Sequence, residues 1–313
     1  MQNSVKTRTI RFHAYGEPAD VLRLDETTLP LPNEHRIRVR VHACGLNPAD
    51  WALCRGLFAA KLPRGIGLEV SGVVDAVGAH VDNVAIGDQV FGAADYAGCE
   101  LAGASDYAIM KHWAKVPSGL DLTTAAALPM AVETAFRSIE NLGVRADQLV
   151  MINGAGTMMG FAAVQMALLR GARVIATAGK TYTERLQKLG AKVTVYGDGI
   201  VERVRELASG SPDLILDTAP ASNSIPDLVE IADGDPRRVL TISDLEGGKK
   251  AGTRDCFGEG MRLRYDALDE YAQLAAKGRF TVPIAEEFAL QDWRRALDIS
   301  LSRHAHGKLI LLP

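Results

Sequence analysis

Val150-Met-Ile-Asn-Gly-Ala-Gly-Thr-Met-Met-Gly-Phe-Ala-Ala-Val164 decides how this chain is read. An apolar strand runs into a glycine turn and then into the start of a helix. That order aims backbone N–H groups and the positive helix end at a pyrophosphate. The glycines stand at 154, 156 and 160, so the spacing is GxGxxxG instead of GxGxxG. A glycine turn alone also suits a tight turn that binds nothing, and the context is what gives it weight.

From Gln148 onward the chain alternates between apolar runs and amphipathic stretches. Strands are expected at 149–153, 173–178, 193–196, 213–218 and 238–243, with helices at about 158–170, 182–189, 200–208 and 222–232. Near-continuous apolar strands alternating with helices make a parallel sheet covered on both faces, a doubly wound α/β domain. A glycine turn opening such a series is a dinucleotide site. A methyltransferase is the lesser rival, because it typically carries an acid at the end of this strand, where Asn153 stands.

An NAD site typically places Asp or Glu about 20 residues on, against the ribose 2′-hydroxyl. Here the second strand ends Ala176-Thr-Ala-Gly-Lys180, with no acid before Glu184. A 2′-phosphate suits Lys180 and a hydroxyl from Thr177 or Thr181. Tyr196, ending the third strand, is placed to pack on adenine or bond the same phosphate. Lys180 also reads as an ordinary exposed loop charge. NADPH is the favoured cofactor.

The first third is β. Residues 36–43 alternate strictly, placing Ile37, Val39, Val41 and Ala43 on one buried face and His42 outward in solvent. Val70–Val77 and Asp88–Gly92 follow, so a small antiparallel barrel or sandwich is expected. A helix starts after Asp121 and is interrupted by Pro129. Beyond the α/β series come a polar, glycine-rich stretch from Asp244 to Gly260, helices over 266–277 and 291–302, and a strand over 308–312. That last strand suits the β-rich part, so the α/β domain reads as an insertion. The domain limits expected are 1–121 with 281–313, and 122–280.

Composition narrows the function classes. The 313 residues suggest roughly two domains. The 35 Lys and Arg against 38 Asp and Glu give a net charge of −3, too neutral for an electrostatic nucleic-acid binder. Four cysteines, at 44, 54, 99 and 256, show no zinc spacing and no disulfide framework. No apolar run approaches the about 18 residues of a membrane span, and the N-terminus lacks a signal-peptide core. A reducing cytoplasm is expected.

Taken together, these segments resemble the zinc-independent quinone oxidoreductase branch of the medium-chain dehydrogenase/reductase superfamily, which also contains zeta-crystallin and alkenal reductases. The resemblance runs through Ile10–Gly16, Val39–Trp51, Gly67–Val74, Gly87–Gly92, Ala126–Ala135, Gly154–Gly160 and His304–Lys308. It implies a GroES-like β-rich catalytic domain with an inserted Rossmann dinucleotide-binding domain, and a homodimer. Zinc alcohol dehydrogenases of the superfamily carry cysteine where Asn47 stands and histidine where Leu68 stands, so no catalytic metal is expected. Glu69 reads as a buried structural acid.

The resemblance implies NADPH-dependent reduction of a quinone or an α,β-unsaturated ketone or aldehyde. An enoyl-thioester reductase and a non-catalytic NADPH-binding protein are the alternatives. Asn47 is the first candidate for contact with the substrate carbonyl or nicotinamide ribose, though Asn-Pro is also an ordinary turn opener. Tyr96 is a candidate phenolic proton donor, or simply a pocket-lining aromatic. The implied cofactor set comprises Thr134, Gly154, Gly156, Thr157, Met158, Met159, Gly160, Thr177, Lys180, Tyr196, Ile242 and Lys308.

Two departures from the family pattern stand out. Thr157 and Met158 replace two glycines, crowding the pyrophosphate or supplying a hydroxyl. Glu133 is expected to face solvent, with a substrate-selecting charge as the other reading.

Overall fold

The computed structural model describes residues 4–220, 223–258 and 261–313. It divides into two compact units, one comprising the chain up to Met130 with Tyr265–Pro313, the other Ala131–Arg264.

The first unit contains β1 (Ser4–Phe12), α1 (Pro18–Val21), β2 (Leu22–Pro30), β3 (Ile37–Leu46), α2 (Pro48–Cys54), β4 (Arg64–Gly65), β5 (Glu69–Val77), β6 (Gln89–Ala94), β7 (Tyr107–Lys115) and α3 (Leu122–Ala126). β2, β1 and β4 form one antiparallel sheet. β3, β5, β6 and β7 pair in sequence, and β7 returns to β3, closing a four-strand ring. A small barrel is what the glycine-punctuated alternation requires. Ile37, Val39 and Val41 face its core while Arg40 and His42 are exposed. Arg38 departs from the alternation and is buried, its guanidinium bonded to Asp75 and to the carbonyls of Leu29 and Pro30.

The second unit contains α4 (Pro129–Leu142, from Ala131), β8 (Leu149–Asn153), α5 (Met158–Leu169), β9 (Arg173–Thr177), α6 (Lys180–Leu189), β10 (Lys192–Thr194), α7 (Ile200–Ala208), β11 (Leu214–Asp217), α8 (Ile225–Ile231), β12 (Val239–Thr241) and α9 (Leu245–Ala251). Its sheet is parallel, in the order β10-β9-β8-β11-β12. The chain reverses direction across the sheet after β10, and β8 and β11 flank the switch point where such folds bind ligands. Gly160–Ala167 of α5 are all buried, and Gln165 is the one polar side chain among them, its Nε2 donating to Phe161 O at 3.1 Å.

The chain then returns to the first unit through α10 (Leu268–Ala276), β13 (Ile284–Ala289), α11 (Trp293–Leu301) and β14 (Lys308–Leu312). β14 pairs antiparallel with β3, and β13 runs parallel to β14.

Three local expectations change. Pro129 starts α4 and does not interrupt a helix, since the first position needs no N–H donor. The stretch from Asp244 contains α9, capped by the Asp244 carboxylate on Gly247 N at 2.9 Å and ended by left-handed Gly252. Its expected end, Gly260, lies outside the described residues. Residue 222, the expected start of the fourth helix, does too, and α8 begins at Ile225. Among the described residues no helix is long and apolar enough to cross a membrane.

Candidate functional site

The α/β unit positions its loop through the ends of its strands. Thr177 Oγ1, at the end of β9, donates to Asn153 Oδ1 at 2.6 Å and accepts from Gly154 N at 2.9 Å. Asn153 Nδ2 donates to Asp217 Oδ1 at 2.9 Å, and Thr241 Oγ1 donates to Asp217 Oδ2 at 2.8 Å. Four adjacent strands are thus tied by one buried polar chain, a feature that sequence reasoning missed. Burial pushes the Asp217 carboxyl above its ordinary value, against the bonds from Asn153 and Thr241. Thr177 is fully buried, so its hydroxyl shapes the loop from within and is not turned outward to a phosphate. Ile242 follows this chain, its N–H on Asp217 O.

Gly154 takes a left-handed φ of 77°. Thr157 is the N-cap of α5, its hydroxyl accepting from Gly160 N at 3.0 Å. Met158 and Met159 open the helix, and their N–H groups have no acceptor within it. A Cβ at Gly160 would lie 2.5 Å from both Gly154 O and Thr218 Oγ1, so only glycine fits. Gly156 is half-buried, with room for an ordinary contact to the Tyr182 ring. Thr157 is therefore consumed in capping and does not crowd the loop, and the residues present fit a pyrophosphate.

Lys180 is the first residue of α6 and is exposed, as is Thr181. Among the described residues Lys180 has no ion-pair partner. The hydroxyl of exposed Tyr196 lies 3.8 Å from the Cβ position of Gly179, next to Lys180. These side chains fit a second, monoester phosphate.

In α4, Thr134 is buried and donates to Glu133 Oε2 at 3.2 Å. Glu133 does not face solvent. It is 2% exposed and takes bonds from Arg137 Nε at 2.6 Å, Arg137 Nη2 at 3.1 Å and Arg264 N at 3.1 Å. The i,i+4 spacing to Arg137 was the legible signal.

In the β-rich unit Asn47 is the N-cap residue of α2, and its backbone N–H donates to Asp50 Oδ2 at 2.8 Å. Asn47 Nδ2 donates to Glu69 Oε1 at 2.8 Å, and Lys308 Nζ donates to Asn47 Oδ1 at 2.6 Å. Lys308 also pairs with Glu69. A carboxylate only accepts and an ammonium only donates, so this orientation of the amide is the one that satisfies both. Met130 N donates to Glu69 Oε2 at 2.7 Å. Glu69 and Lys308 are 1% and 2% exposed. Glu69 is the buried acid expected, while Lys308, expected at the cofactor, spends two of its three N–H donors on Glu69 and Asn47. This donor set does not fit zinc. Leu68 supplies no ligand, and the single carboxylate already accepts three hydrogen bonds, one of them from an ammonium.

Tyr96, in the loop after β6, packs at a ring distance of 6.3 Å from Phe58 and under the Arg64 guanidinium. Burial raises its phenol above the usual value, so it stays protonated at neutral pH. His42 is exposed, as its place on the strand requires.

Comparison with known proteins adds the lineage. Residues 33–127 match the family model described as alcohol dehydrogenase GroES-like domain, and residues 159–247 the one described as zinc-binding dehydrogenase. The quinone oxidoreductase of Salmonella typhimurium is 30% identical over 327 residues, covering 97% of this chain and 99% of its own. That of Sus scrofa is 29% identical, covering 97% of each. Among solved structures, the quinone oxidoreductase from Coxiella burnetii aligns with a TM-score of 0.81 at 24% identity, over 99% of this chain and 100% of that one. A Bacillus thuringiensis protein described as a putative NADPH:quinone reductase gives 0.84 at 23% identity, over 99% of each. With a GroES-like unit, a Rossmann-like unit and full-length relatives, this chain belongs to the quinone oxidoreductase family of the medium-chain dehydrogenase/reductase superfamily.

Proposed function

We propose that the chain transfers hydride from NADPH to a quinone or to an α,β-unsaturated ketone or aldehyde, without a metal. The observation that carries this reading is that Asn47, where zinc relatives need a thiolate, is held in an ammonium-centred cluster with Glu69 and Lys308, while Leu68 stands where they need an imidazole. Without a Lewis acid, conjugated electron-poor acceptors are the substrates that accept hydride most readily.

When bound, the dinucleotide supplies the hydride, from nicotinamide C4. The free N–H groups of Met158 and Met159 bind its pyrophosphate, and Lys180 with Tyr196 and Thr181 holds the 2′-phosphate. Thr134 and Ile242 are proposed to flank the cofactor from their own elements. Asn47 keeps one amide N–H beyond the bond to Glu69, and the Tyr96 phenol remains a donor. Both are offered to the substrate oxygen on which negative charge develops. The family also implies a homodimer, which sedimentation equilibrium tests.

The direct test is oxidation of NADPH and NADH by a panel of quinones, enones and enals, with and without a metal chelator. Turnover on either acceptor class, faster with NADPH and unchanged by chelator, is expected. Tight NADPH binding without turnover on any acceptor would favour the non-catalytic alternative. Loss of activity in chelator would refute the metal-free reading.

A further inference from the structure

Apart from the residues discussed so far, Glu34, His35 and His80 bring one carboxylate oxygen and two imidazole nitrogens within 4.8 Å of one another. It is the one such grouping of histidine, cysteine and acidic side chains among the described residues. His80 Nδ1 lies 3.5 Å from His35 Nε2 and 3.5 Å from Glu34 Oε2. Tetrahedral zinc holds nitrogen and oxygen ligands at about 2.0–2.2 Å, which sets neighbouring donors about 3.3–3.6 Å apart. Two edges of the triangle already have that length.

The backbone brings the three together. Glu34 and His35 stand in the turn between β2 and β3, and His80 follows β5. His80 N donates to Glu34 O at 2.8 Å, and Gly78 N donates to Arg36 O at 2.9 Å. A Cβ at Gly78 would come within 2.0 Å of Asn33 O, so the two loops approach as closely as glycine permits. Asn33 Oδ1 accepts from His35 N at 3.3 Å and steadies the turn. The two rings lie 4.9 Å apart between centroids. All three side chains are exposed, so an ion and its water reach them without disturbing the core.

We propose that Glu34, His35 and His80 form a surface site for a divalent transition-metal ion, Zn²⁺ in the first instance. Glu34 supplies a carboxylate oxygen, His35 its Nε2 and His80 its Nδ1, and water completes the tetrahedron. Each ring then carries its proton on the nitrogen away from the ion. Two imidazoles and one carboxylate select against Mg²⁺ and Ca²⁺, which take oxygen shells, and bind Cu²⁺ more tightly than Zn²⁺. The site shares no residue with the cluster of Asn47, Glu69 and Lys308.

The test is a Zn²⁺ titration of the untagged full chain in competition with a chromophoric chelator. One equivalent per chain is expected, undisturbed by excess Mg²⁺. His35→Gln and His80→Gln should each weaken binding about a hundredfold, since losing even a supporting partner of a ligand typically costs 10–100-fold. Glu34→Gln should weaken it less. Thermal melts of each variant, expected to match the parent because the positions are exposed, separate lost ligation from lost folding. The double variant His304→Gln/His306→Gln removes the other close histidine pair, whose rings lie 6.2 Å apart, and should bind as the parent does. Electron paramagnetic resonance of the Cu²⁺ form should show two imidazole nitrogens. Binding that survives His80→Gln, follows His304 and His306, or never reaches one equivalent would overturn the proposal.

Discussion

Replacing Lys308 by methionine tests the buried cluster most directly. The thioether keeps the volume of the aliphatic stem, so the charge and its hydrogen bonds are what is lost. Lys308 Nζ bonds Asn47 Oδ1 at 2.6 Å and pairs with Glu69. Hydrogen bonds to charged groups contribute about 1.5–3 kcal/mol each. Removing one member of a buried ion pair costs about 3–5 kcal/mol, because the other charge stays buried alone. Both routes lead to a loss of about 3–5 kcal/mol for Lys308→Met.

The assay can be confined to the right unit. The chain has three tryptophans, Trp51, Trp113 and Trp293, and all lie in the β-rich unit. Urea unfolding followed by tryptophan emission therefore reports that unit, which matters because a two-unit chain need not unfold in one step. Glu69→Gln/Lys308→Met removes both charges and should cost less than either single change. A loss below about 1 kcal/mol for Lys308→Met would refute the reasoning. So would a double variant whose cost equals the sum of the singles.

Other expectations separate the remaining parts of the structure. Lys180→Ala should weaken NADPH binding by about tenfold or more, equivalent to about 1.4 kcal/mol, and leave NADH nearly unchanged in a fluorescence titration. Equal losses would remove Lys180 from the 2′-phosphate. Gly160→Ala should weaken both nucleotides alike and destabilise the α/β unit by about 1–3 kcal/mol, since its Cβ meets backbone on one side. An unaltered circular-dichroism melt would argue against that crowding. Asp50 is wholly buried, and burial pushes its carboxyl up to about 6 despite bonds from the N–H groups of Asn47 and Gly67. The folded chain thus holds this proton more tightly than the unfolded one. Its contribution is full below about pH 4 and falls by about 3 kcal/mol as pH rises through 6. Tryptophan-monitored unfolding across that window should show the decline in the parent but not in Asp50→Asn.

The parts that were legible are those where pattern and period coincide. The strands over 149–153 and 308–312 and the helix over 200–208 fall where apolar runs and amphipathic periodicity put them. Gly154 to Gly160 was readable because strand, turn and helix are contiguous. What was hidden depends on distance along the chain. No spacing announces that Lys308 closes on Asn47, 261 residues earlier. The same is true of the bond from Asn153 to Asp217, where two unremarkable strand ends meet. α9 was missed for another reason. Gly247 and Gly248 are poor helix formers, and the Asp244 cap with tertiary packing outweighs their cost. The exposure expected of Glu133 failed because average surface statistics ignored Arg137 one turn on.

The return of the chain to β14 has a consequence for biosynthesis. Translation at about 5–20 residues per second separates Asn47 from Lys308 by about 13–50 s. For most of that interval Glu69 has been made but its cation has not, and β3 lacks its β14 neighbour. A nascent chain that has not reached Lys308 therefore carries an unneutralised carboxylate at the place where the barrel must bury one. Synthesis of residues 308–312 supplies both the missing strand and the missing charge, so the β-rich unit can close only once that segment has been made.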